Sequence, residues 1–144
     1  MSSPDFSAVR NEISDLFDSM VGDSIAENIA YMPLALSGKS PVVSTEDAGW
    51  RSLLAAMNPG QFDLAYRVMV RVNREAHGAA RAADVFDDVR QAIIEKVTDL
   101  TLSFTNFAAL EIPNGQPAPT YIEIHDGLQY LVGEIPVVAI EVNC

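Results

Sequence analysis

Two histidines, His77 and His125, are the side chains whose unperturbed pKa lies near neutrality, so an acid–base site in this chain would use one of them. His125 stands beside Asp126 and two residues from Glu123, and a small enzyme would pair it with one of those carboxylates. Adjacent side chains at a hairpin turn rarely converge, and no Gly-x-Ser-x-Gly elbow or cysteine–histidine signature supplies a nucleophile. His125 therefore reads as a solvated strand-end residue and His77 as a loop residue. Asp84, Asp87 and Asp88 have the oxygen chemistry of a magnesium or calcium site, but the glycine and distal glutamate of an EF-hand are missing. Capping of a helix explains them better. With no P-loop and no Gly-x-Gly-x-x-Gly turn, the sequence predicts no catalytic residue, no cofactor and no metal site.

The arginines offer a different chemistry. Arg67, Arg71 and Arg74 cluster in a chain with 20 acidic and 9 basic residues, a formal charge of −11. They read either as a solvated face or as partners for carboxylates of a neighbouring copy. Trp50, Leu53, Leu54 and Met57 have the spacing of a short apolar helix stripe, which belongs to the core or serves as an exposed anchor.

Charge is unevenly spread: no lysine or arginine follows Lys96, and the last third carries Glu111, Glu123, Asp126, Glu134 and Glu141. Such a surface repels phosphate backbones and anionic lipid. The one cysteine, Cys144, closes no intrachain disulfide, and the N-terminus lacks the basic and apolar regions of a signal peptide. The longest apolar run, residues 29–36, is far below the roughly 20 residues that span a bilayer. The expectation is a cytoplasmic chain that makes no membrane contact.

The elements that must position these residues follow from length and periodicity. With 144 residues, 49% of them hydrophobic, residues 1–144 suffice for one domain. Ser3-Pro4-Asp5 followed by Phe6, Val9, Ile13, Leu16, Phe17 and Met20 predicts a helix over about 4–20. Residues 25–44 predict two short extended pieces held to sheet edges by Pro33 and Pro41. Thr45-Glu46-Asp47 predicts a cap and a second short helix through Met57. Alternation over 64–73 predicts the strongest strand, with Tyr66, Val68, Val70 and Val72 on one side and Arg67, Met69, Arg71 and Asn73 on the other. Asp84 predicts the cap of a helix running to about residue 100. Prolines at 113, 117 and 119 predict a loop over 111–120, Asp126-Gly127 predicts a hairpin, and Gly133 to Pro136 predicts an interruption before a last strand. The fold class is α+β: two main helices on one face of a mostly antiparallel sheet, with long exposed loops.

This layout resembles the tail terminator proteins of long non-contractile phage tails. The resemblance lies in the opening helix, the extended Pro41-Val42-Val43, the strand Tyr66 to Val72, the helix from Asp84 to Ile93, and the closing Asp126-Gly127-Leu128 hairpin with its final strand. It implies a structural virion protein, without catalysis, that closes a homohexameric ring on the tail tube. That ring stops polymerisation and joins the tail to the head completion or connector protein. Implied partners are sibling chains, the major tail tube protein and that head component, with DNA passing through the lumen unbound. Implied intersubunit residues are Arg67, Arg71, Arg74, Trp50 and Leu54; implied lumen carboxylates are Glu111, Glu123, Asp126, Glu134 and Glu141. The loops 45–62, 76–83 and 111–120 would be ordered by partners. The implied location is the host cytoplasm during assembly, then the virion neck. Another connector or stopper protein of the neck has the same general character.

Overall fold

A computed structural model of the chain describes residues 4–52, 62–113 and 119–142. The alternating run at 64–73 becomes the middle of a six-stranded, mostly antiparallel sheet. This strand, β3 (Phe62–Asn73), pairs antiparallel with β2 (Val42–Ser52) on one side and with β6 (Leu128–Val142) on the other. β1 (Glu27–Ile29) adds to β2 in parallel. The far edge of β6 is shared by β5 (Thr120–His125), along 128–133, and β4 (Ala109–Glu111), along 138–140. The helices are α1 (Phe6–Asp15), α2 (Arg74–His77) and α3 (Ala79–Val97), with a 3₁₀ turn at Asp18–Met20. This is a mixed α+β fold.

The predicted parity of β3 is observed. Tyr66, Val68, Val70 and Val72 share one buried cluster with Val9, Ile13 and Phe17 from the first helical segment and with Phe86, Val89 and Ile93 of α3. Tyr66 also donates its hydroxyl hydrogen to the Phe6 carbonyl at 3.1 Å, fixing the start of α1 to the sheet. The opposite face holds a smaller core, in which Ile29 and Leu36 pack with Val42, Met69, Tyr130 and Val132.

Several local readings are corrected. The first helix is capped by Asp5, which accepts from the Ala8 amide at 3.0 Å, and gives way to the 3₁₀ turn; Ser3 lies outside the described residues. Of residues 25–36, Glu27–Ile29 is the strand. Thr45-Glu46-Asp47 does not cap a helix: it lies within β2, because ten ladder positions against β3 outweigh a three-residue local signal. The backbone of Trp50 stands opposite Leu64 in that ladder, while Leu53, Leu54 and Met57 lie outside the described residues. α3 starts at Ala79, not Asp84, since the alanine-rich stretch is itself strongly helix-forming; Asp84 is inside the helix and Asp87 pairs with Arg90 at 2.7 Å. The predicted loop at 76–83 is therefore helix, apart from Gly78. Of the predicted loop at 111–120, residues 114–118 lie outside the described residues.

The hairpin forms at Asp126-Gly127, both with positive φ, 52° and 76°. Gly133 and Pro136 do not interrupt β6. Pro136 falls between the stretches paired with β5 and β4, where a missing N–H removes no bond to either. Near its end β6 carries a bulge. Leu64 faces Ala139 but Phe62 faces Val142, and Glu141 adopts φ 53° with its amide donating to Asp63 Oδ1 at 3.2 Å.

Gly133 is required by packing: a Cβ there would collide with the Phe86 ring. Gly133→Ala is expected to destabilise the fold by about 1–3 kcal/mol through overpacking. Adding Phe86→Leu should recover part of the loss, read as the urea midpoint of each variant.

Candidate functional site

The chemistry-bearing residues converge on the sheet face opposite the larger core cluster. Register places Val42, Arg71 and Val132 side by side on β2, β3 and β6, and sets Tyr121 of β5 beside Val132. Arg71 is thus flanked by apolar neighbours and is only 4% exposed. A buried guanidinium needs acceptors, and it finds them on two strands. Its Nη1 donates to Glu46 Oε2 at 3.0 Å and to Ser44 Oγ at 2.8 Å on β2. Its Nε donates across β6 to Glu123 Oε1 on β5 at 2.9 Å. The Ser44 hydroxyl in turn donates to Glu46 Oε2 at 2.7 Å. Only arginine has a planar fork that serves two carboxylates in this way.

His125 completes the cluster. Strand alternation puts it on the same face as Glu123, and its Nε2 lies 2.8 Å from the Glu123 Oε1 that also accepts from Arg71. Its ring meets Tyr130 edge-on at 5.4 Å. The pairing is with Glu123 two residues away on the strand, not with the adjacent Asp126. His77, at the end of α2, lies 3.0 Å from Ser40 Oγ, which accepts from the Asn73 amide. Ser40 was not singled out by the sequence; its preference for this place shows only once β3 and the segment before β2 are side by side.

Electrostatics bind the cluster together. Burial pushes the Glu123 carboxyl up, but hydrogen bonds from His125 and Arg71, with their charges, outweigh it and hold the group below the usual carboxylate range. Burial alone would lower the Arg71 value; its two carboxylate partners raise it instead, so it stays charged. Burial, then Glu123 and Glu134, raise the nearby Tyr121 hydroxyl.

Several residues expected at contacts between copies or at a lumen have partners within the chain. Arg71, expected at a contact between copies, is committed to two carboxylates of its own chain. Arg67, with a half-exposed side chain, pairs with Glu134 at 3.2 Å, and Arg74 donates to Gln129 at 2.8 Å. Glu123 and Glu134 are thereby neutralised by arginines, whereas Glu111 and Asp126 are exposed and Glu141 sits half-buried in the bulge. Among the described residues, no group of three or more histidines, cysteines and carboxylates is arranged to hold a metal. None of the described helices is long and apolar enough to cross a membrane.

A second feature is apolar exposure in two separate segments. Leu34, in the segment after β1, and Leu100, after α3, are both wholly exposed, at 102% and 100% of the reference area. Tyr31 and Met32 beside Leu34 are also exposed, as are Ile122 and Ile124 on the edge strand β5. Edge strands and bulky apolar side chains in solvent are what association surfaces are made of. No protein-family model matches the chain, and no curated protein matches it in sequence.

Arg71→Met is expected to cost about 3–5 kcal/mol, because Glu46 and Glu123 would be left without their shared counter-charge. Glu123 is held below its ordinary value, so its contribution is present above the unfolded-state pKa, about 4.3, and is lost as pH falls through the folded-state value. The thermal midpoint of the native chain should drop over that acid range. In Glu123→Gln the drop should be shallower.

Proposed function

We propose that this chain is a structural virion protein, the tail terminator of a long non-contractile phage tail. Copies close a homohexameric ring on the end of the tail tube, stop its polymerisation, and offer the other face to the head completion or connector protein. The observation that carries this reading is the presence of bulky apolar side chains in open solvent, on the segment after β1, after α3 and on the edge strand β5, of a chain carrying −11. Exposed apolar area of this kind is stabilised when another protein surface covers it. The two main helices, α1 and α3, form one layer behind the sheet, and the uncovered strands and loops meet partners.

The net charge suits the lumen. Glu111, Asp126 and Glu141, lacking a nearby lysine or arginine in sequence, are the best wall candidates, and a ring multiplies their field, so DNA passes by repulsion without being gripped. Glu123 and Glu134 contribute less because arginines offset them. Trp50 and Leu54 are retained as contact candidates. Assembly takes place in the host cytoplasm and the product resides in the virion neck. A connector or stopper would share this surface character but would bind the portal side.

One geometric fact favours a second reading, a small enzyme. The 2.8 Å contact of His125 with Glu123 is a carboxylate-oriented imidazole, which is the arrangement of a general base. His125→Ala separates the two readings: an enzyme would lose its turnover, whereas ring assembly should persist.

The direct experiment mixes purified chain with tail tube subunits under polymerising conditions. Short tubes of limited length, each ending in a six-fold ring by electron microscopy, are expected. Tubes that elongate unchecked at a stoichiometric excess of the chain would remove this function.

A further inference from the structure

The outer side of β5 is the edge of the sheet least protected against further pairing. Natural sheets blunt an edge by shortness, charge, proline or a bulge. β1 and β4 are three residues long, and β2 beyond its pairing with β1 carries Glu46, Asp47 and a bulge between Asp47 and Gly49. β5 lacks such devices. Its register against β6 runs unbroken from Thr120 to His125 without proline, and its one carboxylate, Glu123, is already engaged by Arg71 at 2.9 Å and by His125 at 2.8 Å. Among the described residues, nothing bonds to the outward backbone groups of this strand.

The hairpin fixes which groups those are. A two-residue turn is closed by a hydrogen-bonded pair, here His125 and Leu128 around Asp126-Gly127. Alternation then directs the amides and carbonyls of Glu123 and Tyr121 toward β6, and those of Thr120, Ile122 and Ile124 outward. The outward positions also carry exposed apolar side chains, Ile122 at 45% and Ile124 at 69%. Ile122 stands opposite Leu131, which packs on the larger core cluster, so the two isoleucines continue that apolar side of the sheet past its last strand.

We infer that β5 of one copy pairs antiparallel with β5 of a second copy, joining two sheets across a twofold axis at Ile122. This register engages all of residues 120–124: Ile122 faces Ile122, Thr120 faces Ile124, and Tyr121 faces Glu123. An axis at Glu123 would set two carboxylates directly opposite each other, which a sheet disfavours. An axis at Ile124 would run the ladder into the Asp126-Gly127 turn, and one at Tyr121 or earlier would leave Ile124 without a partner in the strand. The strand therefore fits its own reverse in a single register. Charge permits the approach even on a chain of −11, because Glu123 is offset within its own copy. The exposed Asp126 turns fall at opposite ends of the ladder, roughly 27 Å apart and well beyond a Debye length. The contact goes beyond the ring proposed above and does not rest on it, since a twofold pairing closes at two copies. It sets the state of the chain before tail tube is met.

The measurement is mass by sedimentation over a range of concentrations, without tail tube subunits. The native chain is expected to reach twice the monomer mass. Ile124→Pro removes an amide hydrogen that points outward, so it should abolish the dimer while keeping the β5–β6 ladder and a near-native thermal midpoint. Ile124→Lys, which leaves the backbone intact at an exposed position, should do the same. Register is read by oxidative cross-linking in chains that also carry Cys144→Ser. Ile122→Cys should join two copies, because facing bonded residues lie about 5.5 Å apart at Cα, within disulfide reach. Ile124→Cys should not, since its two copies lie roughly 14 Å apart along the ladder. A native chain that stays monomeric to millimolar concentration would overturn the pairing and leave the edge to a strand of another protein. Variants at 124 that associate as the native chain does, or oxidation that joins copies at 124 but not at 122, would overturn it as well. The terminator function fails separately, by unchecked tube growth, so the two failures are distinguishable.

Discussion

Arg71 is a charge placed where a sheet would ordinarily bury an aliphatic side chain. Its guanidinium binds Glu46 on β2 and reaches across β6 to Glu123 on β5, so one side chain of β3 ties together strands on both sides of it. Replacing Arg71 together with Glu46 and Glu123 by packed apolar residues would stabilise equally well or better, since desolvation works against buried ionic groups. What the ionic version supplies is registry. A slip of β2 or β5 by one residue would carry its carboxylate to the other face and leave the buried guanidinium without that partner. Around this point the two sides of the sheet diverge: a large, mainly apolar core on one, and a smaller core beside a mixed polar surface on the other.

That division explains which features were legible in the sequence. The alternation of β3 stood out because its two sides differ chemically, valines and Tyr66 on one and arginines on the other. Asp126-Gly127 was legible because a two-residue turn needs positive φ at both positions and these residues tolerate it. The failures share a cause. Thr45-Glu46-Asp47 carries a helix-start signature, and only the ladder with β3, formed by residues 62–73, turns it into strand. Asp84 likewise has a cap's composition, but the alanines before it already propagate a helix.

The candidate site was half visible. Arg67 and Arg71 were evident as a cationic pair in an acidic chain, and Glu123 and Glu134 as carboxylates, yet their pairing was not. Arg71 finds its partners 25 and 52 residues away, and no local pattern encodes that distance. The same limit applied to the apolar surfaces. Leu34 and Leu100 look like core leucines in sequence; only the fold leaves them outside.

The bulge near the end of β6 shows how a sheet tolerates a change of length. The extra residue restores inward orientation, so Val142 returns to the core after Ala139 instead of pointing away. The Phe62 end of the β3–β6 ladder can therefore absorb an insertion, with Asp63 clasping the displaced amide. At the hairpin end, one residue added between 132 and 133 would invert Tyr130 and Val132 together relative to the rest of β6 and expel both from the layer that surrounds Arg71. A change of length in this strand is thus accommodated by geometry at one terminus, and the other is locked in phase.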